Sequence, residues 1–274
     1  MTVAQDQQRA LATAVGELLR DSLRDIIPKA RGQVSAKETQ VAGDVVTDTD
    51  FALQETLQAG LRRLLPEAGF IGEEGFEAMQ ALGDQPHWIV DPLDGTLNYA
   101  CDLPFFGASI ALIVEGMPVV GVVYDYGADT VFEAVAGQGA RCNGAGMLWD
   151  AAMAQRSPIG ISSGFLALMK GPEAARYNPD WLGSRFRIFG SQAVQLCWAA
   201  AGRLRLNINV EAKLWDDAAG ILICQEAGAD YAALAADPVY PLSPSSPALA
   251  GQSLFSISGA PELVDLCRRD FVKG

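Results

Sequence analysis

Four short apolar runs between residues 88 and 135 constrain the fold of this chain most strongly. The runs are Trp88–Val90, Ala108–Val114, Val119–Tyr124 and Val131–Val135. They are rich in β-branched residues, and Gly, Pro and Asp residues separate them. Short apolar runs bounded by turn-forming residues are typical of β-strands. We therefore expect the four runs to be strands of one sheet.

Two amphipathic helices are predicted ahead of these runs. Residues 4–27 repeat apolar side chains at helical spacing, and the pattern stops at Pro28. A second pattern of the same kind runs from Leu53 to Leu65 and stops at Pro66. The polar segment between the two helices is expected to be a loop or a hairpin.

Strand-like and helical segments alternate in the second half of the chain. The strand-like segments are Phe186–Phe189, Leu204–Ile208 and Leu254–Ile257, and the helical segments are Ser191–Ala201, Asp216–Ala227 and Pro261–Val272. This alternation predicts a second α/β layer. We expect a single domain over residues 1–274, with one sub-domain over 1–145 (helix pair and antiparallel sheet) and another over 146–274.

The chain is acidic, and its composition excludes several classes of function. It has 33 acidic and 20 basic residues and a net charge of -13, which disfavours binding to nucleic acid and to anionic membranes. Cations bound at carboxylates would still allow an anionic small-molecule substrate. There is no leader pattern at the N-terminus and no apolar run of about 18 residues, so we expect a cytoplasmic protein without a membrane segment.

Cysteine and histidine usage narrows the chemistry further. The five cysteines are scattered without a C-x-x-C pair, so we expect reduced, buried thiols. His87 is the only histidine, which excludes zinc hydrolases that need several histidine ligands. We expect His87 to be half exposed at the edge of a strand.

The segment Trp88–Tyr99 carries the strongest chemical signal. An apolar strand runs into Asp91 and Asp94, with a proline between them, and Gly95 and Thr96 follow at once. Asp91 and Asp94 could face one hard cation, and the N–H groups of Gly95 and Thr96 could face a phosphate. The same residues also form an ordinary turn for local reasons. This segment alone does not decide between the two interpretations.

Three further acidic segments have local explanations of their own. Gly72–Gly75 reads as an acidic turn after a short apolar pair, while Asp216 and the segment Thr47–Asp50 each stand at the start of a predicted helix, where capping explains them. Glu74 and Asp217, next to these carboxylates, are expected to support them from behind or to face solvent.

Taken together, the segments resemble the inositol monophosphatase family in order and in spacing. The family patterns are G-E-E, then W-x-V-D-P-[IL]-D-G-T-x-N-[FY] with a following S-I-A-L, then W-D-x-A-A-G-x-[IL]-[IL]-x-x-E-A-G. They stand here at Gly72–Glu74, Trp88–Tyr99, Ser109–Leu112 and Trp215–Gly228. The resemblance covers roughly residues 37–230. It implies a layered α/β/α/β/α sandwich, a Mg²⁺-dependent phosphomonoesterase of small phosphorylated metabolites, and a homodimer.

The resemblance also implies a metal site and a catalytic pair. The implied ligands of two or three Mg²⁺ ions are Glu73, Asp91, the Leu93 carbonyl, Asp94 and Asp216, with Asp91 bridging two ions. An all-oxygen ligand set suits Mg²⁺, and paired ions roughly 3.5–4 Å apart stabilise both the attacking and the leaving oxygen. Thr96 and Asp50, assisted by Glu73, would position a water that attacks phosphorus directly.

The implied substrate side departs from the family pattern. Its residues are Gly95, Thr96, Gly190, Ser191, Gln192, Asn209, Glu211 and Asp216. Gln192 replaces a small residue, and Asn209 stands where inositol-type enzymes carry a hydroxyl-binding Glu. We therefore expect a substrate that offers a carbonyl, amide, amine or base edge to Gln192 and Asn209, with Glu211 accepting from an amine, and we expect inositol 1-phosphate to be poor.

Several alternatives stay open. Histidinol-phosphate, sugar-bisphosphate and nucleotide 3'-phosphate phosphatases of the same family are not separated by these motifs. A catalytically silent binding homologue is a further alternative, although the complete set of carboxylates with Thr96 argues against it. Lys37 is the best match to a loop lysine of the family, at a spacing to Asp50 about two residues longer than usual.

Overall fold

The computed structural model describes residues 4–30, 37–38, 45–74, 85–235, 239–243, 246 and 251–271. Its helices are α1 Gln5–Ala30, α2 Asp48–Leu64, α3 Thr96–Ala100, α4 Ala151–Ala154, α5 Ser163–Lys170, α6 Ala174–Tyr177, α7 Gln192–Ala200, α8 Leu214–Ala227 and α9 Pro261–Phe271. Its strands are β1 Lys37–Glu38, β2 Val45–Val46, β3 Gly69–Gly72, β4 His87–Asp94, β5 Gly107–Val114, β6 Met117–Asp125, β7 Thr130–Val135, β8 Ala140–Cys142, β9 Ala145–Met147, β10 Ile159–Ile161, β11 Phe186–Arg187, β12 Leu206–Asn209, β13 Asp230–Ala233 and β14 Ser256–Gly259.

A seven-stranded sheet forms the larger of two main sheets. Its strands follow the chain order from β3 to β9, with β3 and β4 parallel and each later pair antiparallel. The four apolar runs predicted to share a sheet are β4 to β7, so that prediction is confirmed. They lack alternation between apolar and polar residues because helices cover both faces of the sheet.

The two sheets and three helical layers form a five-layered sandwich. On the outer face of the large sheet lie α1 and α2, and on its inner face lie α7 and α8. The second sheet, in the order β11-β10-β12-β14-β13, packs its inner face on α7 and α8 and its outer face on α5, α6 and α9. The predicted α/β/α/β/α architecture is confirmed. Because α7 and α8 contact both sheets, we propose that the chain folds as a single domain.

The structure corrects several local predictions. Helix α1 runs through Pro28 to Ala30, because Ile27 is fully buried while Pro28 lies on the exposed side, where water can replace the missing hydrogen bond. His87 is buried instead of half exposed, since glycine at position 69 on β3 leaves room for its ring. Cys101 is exposed, although three of the five cysteines are buried and none is in a disulfide.

Two features of the described residues bear on the remaining predictions. The backbone of β1 pairs antiparallel with that of β2, as expected for a hairpin; the rest of that segment lies outside the described residues. No helix in the described part of the chain is both long and apolar enough to cross a bilayer.

The close approach of α8 to the large sheet yields a stability prediction. A Cβ added at Gly121 on β6 would lie 2.7 Å from the carbonyl oxygen of Ala219 on α8, so Gly121→Ala must push the helix away from the sheet. We expect a loss of about 1–3 kcal/mol in the free energy of unfolding, measured by urea denaturation. Gly146→Ala on β9 is the matched control, because nothing lies within 4 Å of its added Cβ. An unchanged midpoint for Gly121→Ala would contradict this packing.

Candidate metal centre

The parallel pairing of β3 and β4 brings Glu73 beside Asp91. Gly72 is opposite Val90 in the register, and the Glu73 N–H donates to the Val90 carbonyl at 3.1 Å. Glu73 therefore follows the carboxyl end of β3, and Asp91 lies beside it in the second half of β4. Their side chains are within hydrogen-bonding reach of each other, and a proton or a cation between them would offset the repulsion of the two carboxylates.

Gln54 on α2 fixes the backbone around Glu73. Its side-chain amide donates to the Glu74 carbonyl at 2.8 Å and accepts from the Glu74 N–H at 3.0 Å. A Cβ at position 72 would lie 2.0 Å from the Gln54 Oε1 atom, so this contact requires Gly72. This role of Gln54 could not be predicted from the sequence, since nothing in the helical pattern distinguishes it from other polar residues on α2.

Asp91, Asp94 and Asp216 converge on one point. The register of β4 shifts between Asp91 and Asp94, and the Leu93 N–H donates to Asp91 Oδ1 at 3.0 Å. Asp216 lies in the first turn of α8, where it accepts from the Lys213 N–H at 2.7 Å. One carboxylate oxygen from each of the three aspartates lies within 4.8 Å of the others. Asp216 is therefore the third residue of α8 and accepts from the residue before the helix, Lys213, which is itself the N-cap.

Burial and mutual repulsion raise the pKa values of these carboxyl groups. Burial raises the pKa of Glu73 to about 8. Burial, together with the charges of Glu73, Asp94 and Asp216, raises the pKa of Asp91 well above its ordinary range. The pKa of Asp216 is raised in the same way, by burial and then by Asp94 and Glu73. A divalent cation would offset this repulsion, and the all-oxygen donor set fits Mg²⁺.

The start of α7 holds Asp94. Oδ2 of Asp94 accepts from the Ser191 hydroxyl and from the Ala193 N–H, both at 2.6 Å, and Oδ1 accepts from the Gln192 N–H at 3.1 Å. Burial still raises the pKa of Asp94, although these hydrogen bonds oppose the shift. The hydroxyl hydrogen of Ser191 is therefore directed at Asp94, and not at the substrate side where Ser191 was predicted to act.

Thr96 lies against Asp50, as the resemblance implies. The Thr96 hydroxyl is 2.9 Å from Asp50 Oδ1 and 3.0 Å from the Leu93 carbonyl oxygen. The other carboxylate oxygen of Asp50 accepts from the N–H and the hydroxyl of Thr47, which completes a capping box at the start of α2. One oxygen of Asp50 thus caps the helix while the other accepts from Thr96, so helix capping leaves Asp50 free to contact Thr96 as well. Burial raises the pKa of Asp50.

Asn98 ties the α3 turn to the loop before α7. Its Nδ2 atom donates to the carbonyls of Phe105 and Phe189, at 2.7 and 2.6 Å. Gly190 has a positive φ of 86°, and a Cβ there would lie 2.6 Å from Asn98 Nδ2. Gly95 also has a positive φ, of 96°, at the start of α3. The sequence analysis missed Asn98, although its place in the D-G-T-x-N pattern was the available signal.

The prediction that Gln192 presents its amide to a substrate is wrong. The side chain is buried, its Nε2 atom donates to Asp217 and Ser256, and its Oε1 atom accepts from Asn207 and Asn209. All four hydrogen-bonding positions of the amide are therefore used inside the protein.

Asn209 is turned inward as well. It accepts from the backbone N–H groups of Glu211 and Ala212, at 2.8 and 3.0 Å, and donates to Gln192. Glu211 is exposed and accepts from the Gly164 N–H at the start of α5. Asp217 is fully buried and not solvent-facing. The side chain of Lys37 lies outside the described residues.

The pKa shifts predict how stability depends on pH without metal. A carboxyl whose pKa rises on folding keeps its proton in the folded state, so the stability it contributes is lost as pH rises. For Glu73 the window runs from its ordinary pKa of 4.5 to about 8. In EDTA, the free energy of unfolding should fall over that window by about 1.4 kcal/mol per pH unit for each retained proton.

Mg²⁺ should flatten this pH dependence, and Asp91→Asn should reduce it in EDTA while keeping the contact to the Leu93 N–H. Urea denaturation at pH 5, 6.5 and 8 measures the free energy of unfolding of wild type in EDTA, wild type in Mg²⁺ and Asp91→Asn in EDTA. Equal pH dependence with and without Mg²⁺ would contradict a cation at this cluster.

Comparison with known proteins agrees with this geometry. The model of the inositol monophosphatase family matches residues 2–255. The Nus factor SuhB of Pasteurella multocida is 36% identical over 200 residues, which cover 72% of this chain and 73% of that protein. Inositol monophosphatase 2 of Solanum lycopersicum is 38% identical over 199 residues, which cover 68% and 73%.

The fold has a close counterpart among solved structures. The extragenic suppressor protein suhB from Bartonella henselae superposes with a TM-score of 0.77 at 26% identity, over 97% of this chain and 99% of that one. The family match, the sequence identities and the fold agree, and this chain belongs to the inositol monophosphatase family.

Proposed function

We propose that this protein is a Mg²⁺-dependent phosphomonoesterase of a small phosphorylated metabolite. The observation that carries the proposal is the convergence of the acidic cluster with the Thr96–Asp50 pair. The Thr96 hydroxyl contacts both Asp50 Oδ1 and the carbonyl of Leu93, and Leu93 lies in the chain between two carboxylates of the cluster. The family is a phosphatase family.

Among relatives of similar identity, however, one is named a Nus factor and another an inositol monophosphatase. Overall identity therefore does not select between catalysis and binding, whereas the complete site favours catalysis.

The residues proposed to hold the cations come from three elements. Glu73 follows β3; Asp91, the Leu93 carbonyl and Asp94 belong to β4; and Asp216 belongs to α8. When bound, Mg²⁺ lowers the pKa of a coordinated water and neutralises charge on the phosphate. We propose two or three ions, as in the family resemblance.

Thr96 and Asp50 are proposed to orient the attacking water. A hydroxyl has one hydrogen, and Asp50 Oδ1 and the Leu93 carbonyl, neither of which can donate, are both placed to accept it. The lone pairs of the Thr96 oxygen then remain to accept a hydrogen bond from the water. Asp50 is itself fixed by Thr47, so the orientation is set before substrate binds. The first turn of α3, at Gly95 and Thr96, is proposed to face the phosphate.

The substrate side is proposed to differ from a polyol site. Asn209 offers no carboxylate to a hydroxyl, and its carbonyl oxygen is already used by two backbone N–H groups. Gln192 is withdrawn, so the altered recognition cannot come from its amide. Glu211 remains exposed and could pair with an amine of the substrate. We propose a substrate other than inositol 1-phosphate.

The assembly and cellular setting are also proposals. We propose a cytoplasmic homodimer that does not bind nucleic acid directly. Family membership supports the dimer, and the net charge of -13 disfavours contact with a polyanion. The naming of one relative as a Nus factor makes direct measurement of RNA binding a useful accompanying test.

Phosphate release tests the catalytic proposal. With Mg²⁺, wild type should release phosphate from at least one phosphomonoester, and EDTA should abolish the activity. Asp91→Asn should abolish turnover, since it removes charge from the centre of the cluster, while Asp48→Asn, at an exposed position on α2, should not. Thr96→Ala should lower kcat on the order of 100-fold or more, and Thr96→Ser should restore most of it. Activity of Asp91→Asn within tenfold of wild type would refute the assignment.

A panel of substrates tests the altered pocket. We expect kcat/KM for inositol 1-phosphate to be lower than for the best of histidinol phosphate, nucleotide monophosphates and sugar phosphates, because a hydroxyl-accepting carboxylate is absent. A preference for inositol 1-phosphate of more than about tenfold, roughly 1.4 kcal/mol, would show that the polyol site is intact.

A further inference from the structure

The side chain of Gln192 connects α7 to α8 and to the second sheet. Its Nε2 atom donates to Asp217 Oδ1 at 2.7 Å and to Ser256 Oγ at 2.8 Å. Its Oε1 atom accepts from the Nδ2 atoms of Asn207 at 3.1 Å and Asn209 at 3.0 Å. The partners lie on α8, β14 and β12, and the side chain is 3% exposed. A single amide at the start of α7 is thus bonded to three other elements.

The backbone of Gln192 and two of its side-chain partners, Asp217 and Asn209, connect it to the acidic cluster. The backbone N–H of Gln192 donates to Asp94, so α7 carries part of the cradle of that carboxylate. Asp217 is the neighbour of Asp216 on α8. Asn209 fixes the segment between β12 and α8 through its two backbone acceptor contacts. The position of Gln192 therefore relates the start of α7, which holds Asp94, to the start of α8, which holds Asp216.

A cation bound by both Asp94 and Asp216 needs their oxygens at a fixed separation. The two carboxylates repel each other, and each raises the pKa of the other or of its neighbours. The helices α7 and α8 pack closely on each other, and the Gln192 amide adds a polar link between their first turns. Hydrogen-bonded partners behind metal ligands commonly change metal affinity by 10–100-fold. A buried amide whose four hydrogen-bonding positions are all used also restricts movement of the elements that it joins.

We propose that Gln192 is a positioning residue that sets the separation of Asp94 and Asp216, and thereby the affinity of the site for divalent cations. The proposal rests on the proposed metal site. It replaces the expectation that this residue contacts substrate. The amide acts from behind the ligands, and its effect reaches the cation through α7 and α8.

The test compares Gln192→Met with Gln195→Met. Methionine has a similar length and volume, so the first change removes the hydrogen bonds of Gln192 and leaves the packing nearly filled. Gln195 lies one turn later on the same helix and is also buried, but its Oε1 atom has no hydrogen-bond partner among the described residues. Tyr231→Phe is a second control, because it removes a different 2.7 Å hydrogen bond to Asp217 and leaves the four hydrogen bonds of the Gln192 amide in place.

The measured quantity is the dissociation constant for Mn²⁺, obtained from the electron paramagnetic resonance signal of the free ion in titrations of the full chain. Gln192→Met should raise this constant 10–100-fold. Gln195→Met and Tyr231→Phe should stay within about threefold of wild type.

Melting temperatures in EDTA, recorded for all four proteins, separate loss of folding from loss of affinity. If Gln192→Met is not recovered folded, Gln192→Asn is used, since its shorter side chain cannot span from α7 to both Asp217 and Asn209.

The outcomes separate this proposal from the proposed function. Wild-type affinity in the Gln192 variant would overturn the positioning role, as would equal weakening in either control. Failure of wild type itself to bind Mn²⁺ and to release phosphate would instead refute the proposed function. Weakened Mn²⁺ binding that is confined to the Gln192 variant supports the positioning role of Gln192.

Discussion

The structure is organised around the repulsion between buried carboxylates. Glu73, Asp91, Asp94 and Asp216 converge where two strands of the large sheet end and α8 begins, and burial raises the pKa of each. Left to themselves, these groups would separate or bind protons. The fold keeps them together by attaching each one to backbone that cannot move independently. A divalent cation at the cluster would offset this repulsion, so holding the carboxylates together would favour its binding.

The attachments use ordinary elements of local structure. The Glu73 N–H continues the hydrogen bonding between β3 and β4, and Asp91 accepts from the N–H of Leu93 in a turn. Asp94 accepts from an N–H in the first turn of α7, and Asp216 accepts from the N–H of the residue before α8. Asp50 also combines two contacts in one side chain, because one of its oxygens completes a capping box while the other accepts from Thr96. Capping and turn chemistry therefore do not compete with the functional interpretation. They are the means by which the site is built.

The sequence predicts the parts of this arrangement that depend on neighbours along the chain. The strands β4 to β7 follow from apolar runs, and the acidic segments follow from their recurring order and spacing. The orientation of Gln192 could not be predicted, because its partners lie 15 to 64 residues away on β12, α8 and β14. The continuation of α1 past Pro28 was missed for a similar reason, since burial of Ile27 by tertiary packing outweighs the local preference to stop. The short strands β8 to β11 have too few residues to show a period.

The central claim is that Asp91 lies at the middle of a divalent cation site. The most direct test is a crystal structure of the protein soaked in Mn²⁺, with anomalous differences recorded at the manganese absorption edge. The account predicts an anomalous peak in contact with Asp91 and with either Glu73 or both Asp94 and Asp216, and loss of that peak in Asp91→Asn. An empty cluster in crystals whose carboxylates remain in place, or manganese bound only elsewhere on the chain, would contradict it.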